Sequence, residues 1–172
     1  MIPGRFLWCL GLLAGMAGHG VAGGAFSVTA SAFAQGQPIP ARFAMAGDNL
    51  SPELQVENTP DKARTLVLIV DDPDAPSGLW THWLVWNLSA DTRSIAEGRL
   101  PDEAREGRNS FGNVRYDGPA PPSGTHRYFF RLYAIDTTLS LPTGSSREAL
   151  EAAMNGHIVG IAETFGTYSA SP

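Results

Sequence analysis

The stretch Asp71–Trp83 reads D-D-P-D-A-P-S-G-L-W-T-H-W, and it decides how the rest of the chain is read. An apolar run, Leu66–Val70, leads into it, and a second, Leu84–Leu88, leads out of it. Thr65–Val70 is β-branched and aliphatic throughout, the pattern of a central strand buried on both faces. Trp80–Leu88 alternates: Trp80, His82, Leu84, Trp86 and Leu88 are expected on one face, Thr81, Trp83, Val85 and Asn87 on the other. A short connection between two antiparallel strands brings Asp72 and His82 to the same sheet edge. Polar residues concentrated there serve something other than the strand itself, and the edge reads as a pocket.

Outward from this centre the chain is mostly strands and turns. Phe26–Phe33 alternates like a first strand, Gly36–Pro40 is turn-rich, and Ala41–Leu54 is polar and irregular. Ser89–Pro122 carries few apolar residues and reads as a long surface excursion, a kind of loop that is usually functional. Arg127–Asp136 is a third strong strand. After the Leu139–Gly144 turn comes one helix, with Ser145 as cap, Glu148 as its capping-box partner and Gly156 as its stop. Ile158–Tyr168 is a last strand. Several strands, long connections and a single helix indicate a β-sandwich.

At 172 residues the chain fits one domain with a full core. Gly 19 and Pro 13 suit short strands joined by tight turns. The formal net charge of -5, with no basic cluster to offset it, excludes a nucleic-acid surface. Phe6–Ala17 behind Arg5 has the length of a secretory signal core and is too short to span a bilayer, which needs about 20 apolar residues. Residues 1–24 are therefore expected to be a signal peptide and 25–172 the mature domain, without a transmembrane segment. The cut is placed in Val21–Ala25, with Ala34 second. The single cysteine, Cys9, falls inside the signal, so the exported protein would carry no disulfide. The expected location is periplasmic or secreted, in a bacterium.

Three groups of residues carry chemistry: Asp72, Asp74 and His82 between Pro73 and Pro76; Tyr116–His126, running into Arg127 and Tyr128; and Gly166-Thr167-Tyr168. His126 and Tyr128 lie two apart on one strand and share a face. Two imidazoles, a phenol and backbone N–H groups around a small cavity make a receptor for an oxyanion or phosphate. Each signal alone has a plainer reading. A histidine between tryptophans is most often a hydrogen-bonded core residue, Asp-Pro pairs mark turns, and Asp72 or Asp74 can simply neutralise Arg127.

Together these motifs resemble the phosphatidylethanolamine-binding proteins, in particular their bacterial Raf-kinase-inhibitor-like subgroup. The resemblance runs from Phe26 to Tyr168. It rests on D-P-D-A-P at Asp72–Pro76, H-W at His82-Trp83 and G-P-A-P-P-S-G-T-H-R-Y at Gly118–Tyr128, with S-P-E-L at Ser51–Leu54 and G-T-Y at Gly166–Tyr168 as weaker support. It implies an all-β, two-sheet antiparallel β-sandwich with one short helix in the C-terminal region. It also implies an anion pocket lined by Asp72, His82, Gly118, His126 and Tyr128, with Pro121 or Pro122 at the rim and Asp74, Pro76, Trp83 and Arg127 in support. The Ala75–Pro76 bond would be cis. Ala120 stands where bacterial relatives often have cysteine, and Ser89 where proline is common; neither touches the expected anion contacts.

The resulting expectation is a non-enzymatic binder of small anions or phosphorylated head groups such as phosphoethanolamine, with no cofactor and no metal. In the pocket Asp72 has three possible tasks: orienting a histidine, meeting a ligand ammonium, or holding a shared proton. A second reading is an inhibitor of an extracytoplasmic protease or kinase that docks a protein partner around the pocket. A third is a metal-dependent hydrolase using Asp72, His82 and His126. The third lacks a nucleophile: Ser123 and Thr125 sit in a Pro-Gly loop without a G-x-S-x-G turn, and no H-E-x-x-H occurs.

Overall fold

The segment Thr65–Asp72 (β3) is buried at every position, and a strand without a polar face needs a layer on each side. The computed structural model, which describes residues 24–170, provides both layers. β3 lies antiparallel between Trp80–Ser89 (β4) and Thr125–Ile135 (β7). Arg105–Glu106 (β6) and Ile158–Ser169 (β8) complete a five-stranded sheet in the order β6-β4-β3-β7-β8. Ser27–Ala30 (β1), Leu54–Glu57 (β2) and Ser94–Ile95 (β5) form a second, three-stranded antiparallel sheet, β1-β2-β5. The protein is thus a two-sheet antiparallel sandwich with one helix, Arg147–Met154 (α1).

Two cores follow from the two faces of β3. Leu66, Leu68 and Val70 face the small sheet and pack with Val28, Leu54, Val56, Val85, Phe130 and Leu132. Val67 and Ile69 face the other way and pack with Leu84, Trp86, Leu139 and the α1 residues Leu150 and Met154. Each such side chain contributes roughly 1.5–3 kcal/mol on burial, so the strand that ends at Asp72 is anchored from both sides.

Strict alternation along β4 does not hold. Val70 pairs with Trp83 and Asp71 with Thr81, which leaves His82 as the extra residue of a β-bulge. Thr81 reaches Asp71 on the helix side, whereas His82 stands edge-on to Tyr128 on the opposite side, the side of Trp83. A second irregularity lies between the Leu66–Leu88 and Leu68–Val85 pairs. There Asn87 takes φ 60°, and Leu88 joins Trp83 and Val85 instead of Leu84 and Trp86. The side chain of Asn87 explains the distortion: it donates to Leu139 O and accepts from Leu139 N–H, both at 2.9 Å, tying down the loop before α1.

Other expectations shift by less. The first strand is shorter, Ser27–Ala30, although Phe33 behind it is still core. Leu54–Glu57, at the end of the segment read as irregular, is a strand. The helix cap is Ser146 and not Ser145; its hydroxyl accepts from Ala149 N–H at 3.3 Å. Ser89–Pro122 is no mere surface excursion, because it supplies β5 and β6 and buries Ile95, Asn109, Tyr116 and Asp117. The expected signal core, Phe6–Ala17, lies outside the described residues. No helix among the described residues is long and apolar enough to cross a membrane.

Candidate binding site

The ends of β3, β4 and β7 meet where Asp72, His82, His126 and Tyr128 lie buried together, each less than a tenth exposed. A cavity of about 190 Å³ opens against them, lined by Asp72, Ala75, Pro76, Ser77, Trp80, His82, Phe111, Ala120 and Pro122. Asp72 and His82 therefore form part of the wall itself. His126 stands behind Asp72, its Nδ1 2.7 Å from Asp72 Oδ2. Tyr128 stands behind His82, ring centroids 5.2 Å apart and nearly perpendicular.

Asp72 has both oxygens engaged. Oδ1 accepts the N–H of Asp74 at 2.8 Å, and Oδ2 meets His126. Of its three possible tasks, the orientation of a histidine is the one its geometry displays. With Nδ1 committed to Asp72, His126 keeps Nε2 for other contacts.

His82 is held from the backbone. Its Nδ1 lies 2.6 Å from Asp117 O, which fixes the tautomer with the proton on Nδ1 and leaves Nε2 for the cavity. Burial pushes its pKa below the ordinary histidine value, against the hydrogen bond to Asp117 and the charge of Asp72. Neutral His82 thus presents an acceptor to the cavity and becomes a donor there only on protonation. Burial, and next the charge of Asp72, pushes the Tyr128 phenol up. That hydroxyl stays protonated, and it has no hydrogen-bond partner among the described residues.

The support for His82 is a network that sequence reasoning missed. Asp117 is fully buried, and its carboxylate accepts Asn109 and Asn113 amides at 2.8 Å, Asn49 at 3.2 Å and Arg115 Nε at 3.1 Å. Burial opposes the charge on Asp117, but the three amides and Arg115 outweigh it and hold the carboxyl below its usual range. The Asp117 N–H donates to His82 O at 3.2 Å, so the same residue grips both ends of the histidine. Asn109 adds a contact to His82 O. The only signal in the sequence was a density of Asn, Asp and Gly in Asn109–Gly118, which by itself reads as turns.

Several expected residues play other parts. Gly118 does not offer its N–H to the cavity; that group donates to Asn49 Oδ1 at 2.7 Å. The residue must be glycine because a Cβ would come 2.0 Å from Phe43 O. Pro122 lines the cavity, whereas Pro121 belongs to a separate hollow with Met45, Pro119 and Tyr168. Trp83 faces the core, donating Nε1–H to Glu106 at 2.7 Å. Asp74 is the structural partner of Arg127, which it receives through Nε at 2.8 Å, Nη2 at 2.7 Å and the backbone N–H at 2.9 Å. These hydrogen bonds hold the Asp74 carboxyl down at about 2. They also pin the Asp72–Ser77 loop to the start of β7.

The expected cis bond at Ala75–Pro76 is not found; the described residues contain no cis peptide. Gly78 N–H donates to Ala75 O at 2.9 Å, closing a turn in which Pro76 is the second residue and Gly78, at φ 95°, the fourth. A trans proline fits that second position through its fixed φ, so the loop turns without a cis bond. Among the described residues no group of three or more His, Cys, Asp or Glu side chains could hold a metal ion.

The chain belongs to the phosphatidylethanolamine-binding protein family, whose profile matches residues 29–169. A UPF0098 protein of Methanothermobacter thermautotrophicus is 49% identical over 135 residues, covering 76% of this chain and 89% of the relative. A UPF0098 protein of Chlamydia trachomatis is 44% identical over 146 residues, covering 82% and 97%. Among solved structures, a putative phosphatidylethanolamine-binding protein homolog from Chlamydia trachomatis superposes with a TM-score of 0.82 at 43% identity, covering 86% of this chain and 99% of that one. The Escherichia coli protein YbcL, described as a new member of the mammalian family, gives 0.81 at 27% identity, covering 86% and 100%.

Proposed function

We propose that this protein binds small anions and phosphorylated head groups, such as phosphate and phosphoethanolamine, in the Asp72–His82 cavity, without catalysing a reaction on them. The supporting observation is the pairing of a carboxylate-oriented His126 with a neutral, backbone-fixed His82 at one cavity wall. No lysine or arginine lines that wall, so the negative charge of a ligand has to be met by a proton. Either His82 takes up a proton as the anion enters, or a singly protonated phosphate donates its own to Nε2. Phosphate monoesters lose that second proton near pH 6, so both routes weaken binding as pH rises.

The protein is further proposed to act outside the cytoplasm, after removal of its first two dozen residues. Cleavage at Ala34 would strip off β1 and with it the core residues Val28 and Phe33, which favours a cut in Val21–Ala25. A second reading, an inhibitor that docks an extracytoplasmic protease, draws support from the exposed side chains of Phe111, which lines the cavity, and Leu79, which lines a neighbouring hollow with Thr81 and Arg147. Calorimetric titration with phosphate and phosphoethanolamine at pH 6 and pH 8, beside His126→Ala, tests the primary reading. Saturable binding at pH 6 that weakens at pH 8 and is lost in the variant is expected. No heat at millimolar ligand, or binding indifferent to His126, would contradict it.

A further inference from the structure

A second hollow, of about 260 Å³, shares none of its lining residues with the Asp72–His82 cavity. Its floor is the buried pair Trp83 and Tyr116, whose rings stand edge to face at 5.5 Å, and Leu50 and Leu100 border it. Arg99 and Arg115 bring two positive charges to it, on a chain of net charge -5. Both guanidiniums have donors to spare. Arg115 gives only Nε, to Asp117 at 3.1 Å, so the edge formed by its two Nη groups stays open. The arginine ion pairs of the described residues engage Arg42, Arg115, Arg127, Arg131 and Arg147, and none engages Arg99. Ser51, only 3% exposed, lines the same hollow. Its Oγ accepts Gly98 N–H at 3.2 Å, and its hydroxyl proton has no acceptor among the described residues. The opposing charge in the lining is Glu106, one oxygen of which accepts Trp83 Nε1–H at 2.7 Å.

We infer that this hollow is a second binding site, for small monocarboxylates with an apolar body. Planar guanidinium edges match the two oxygens of a carboxylate, and the Ser51 hydroxyl adds a third kind of donor. The carbon of such a ligand covers Leu50, which is 37% exposed, and Leu100. A second negative charge on the ligand would meet Glu106, which limits the class to monocarboxylates. The donors are held before any ligand arrives. Arg115 is pinned on the buried Asp117, and Arg99 sits on a turn in which Gly98 N–H donates to Ser51 O at 3.0 Å and Arg99 N–H to Ala96 O at 3.3 Å. Donors fixed in this way lose little freedom on binding. The site is independent of the head-group reading and lies on other residues.

Calorimetric titrations of the protein with butyrate and with butyramide, its uncharged counterpart, test the site. Butyrate should bind saturably, and butyramide at least about tenfold more weakly, the size expected when charge-assisted hydrogen bonds are lost. Arg99→Gln and Arg115→Gln should each weaken butyrate about tenfold. Glu106→Gln keeps an acceptor for Trp83 and removes the opposing charge, so it should tighten butyrate by roughly two- to fivefold. Arg99→Gln should leave phosphate binding as it was, and His126→Ala should leave butyrate binding as it was. No saturable heat with butyrate at millimolar concentration would overturn the inference. So would butyrate binding that survives Arg99→Gln and disappears in His126→Ala, because the ligand would then occupy the Asp72–His82 cavity. Failure of the head-group reading looks different: phosphate would not bind, while butyrate would still depend on Arg99.

Discussion

Asp71 and Asp72 are neighbours in the chain, both buried, and they end up doing opposite things. Because they are consecutive on a strand, they face opposite sides of the sheet. On the helix side, Asp71 receives Arg131 Nη1 at 3.0 Å, Thr81 Oγ1 at 3.3 Å and the guanidinium of Arg147, which reaches it from α1. Its charge is matched by two permanent cations. On the cavity side, Asp72 meets one backbone N–H and one imidazole. A carboxylate compensated by arginines ties elements together; one bonded to an imidazole orients that ring beside the cavity.

Substitutions that separate stability from binding test this contrast, and the largest effect belongs to the helix side. Asp71→Ala leaves Arg147 and Arg131 without their shared partner and should cost about 3 kcal/mol or more in thermal or urea unfolding. Phosphate affinity of the folded fraction should change little. A fully stable Asp71→Ala variant would break the assignment. Next comes Asp117→Ala, which strands three amides and Arg115 and loosens the loop whose main-chain carbonyl and N–H hold His82. A loss of roughly 2–3 kcal/mol is expected, together with weaker ligand binding, because the hub supports the site as well as the fold. Asp72→Ala should show the reverse of Asp71→Ala. Stability falls by only about 1–2 kcal/mol, for the orphaned ring N–H and the lost turn bond, while phosphoethanolamine binding is lost in calorimetry.

The smallest effects are those of pH. Asp74 has its pKa lowered by Arg127, so the stability it contributes is complete above the unfolded value near 3.8. It is lost as pH falls toward about 2. Acid unfolding of Arg127→Gln should lack that part of the curve. His82 is shifted the other way for a base, since burial makes the folded state refuse a proton that the unfolded chain accepts. Stability should therefore fall as pH drops from 6.5 through the lowered value, and saturating phosphate should reduce the fall.

Much of the architecture was legible because it depends on local pattern. Thr65–Val70 has no polar face, and Arg127–Asp136 and Ile158–Tyr168 alternate clearly enough to be read as strands. The two-residue strands β5 and β6 are too short to show any period, and Leu54–Glu57 is barely longer. The bulges in β4 escaped because alternation assumes an unbroken pleat, whereas His82 and Asn87 take their directions from partners 35 and 52 residues away. The same distance problem hid the site's frame. Asp72, His82, His126 and Tyr128 were readable as a set, but Asn49, Asn109 and Asn113 converge on Asp117 only after folding. Gly118 was read as pocket lining, and the need for glycine there, to admit the backbone of Phe43, shows only in the fold.

The most direct test of a proton-coupled cavity is to follow the ring resonances of His82 and His126 by NMR across pH 4.5–8.5, with and without phosphate. The account expects the free protein to show His82 titrating below the usual histidine value, and phosphate to raise that value while shifting both rings. A His82 that titrates identically with and without phosphate would contradict it.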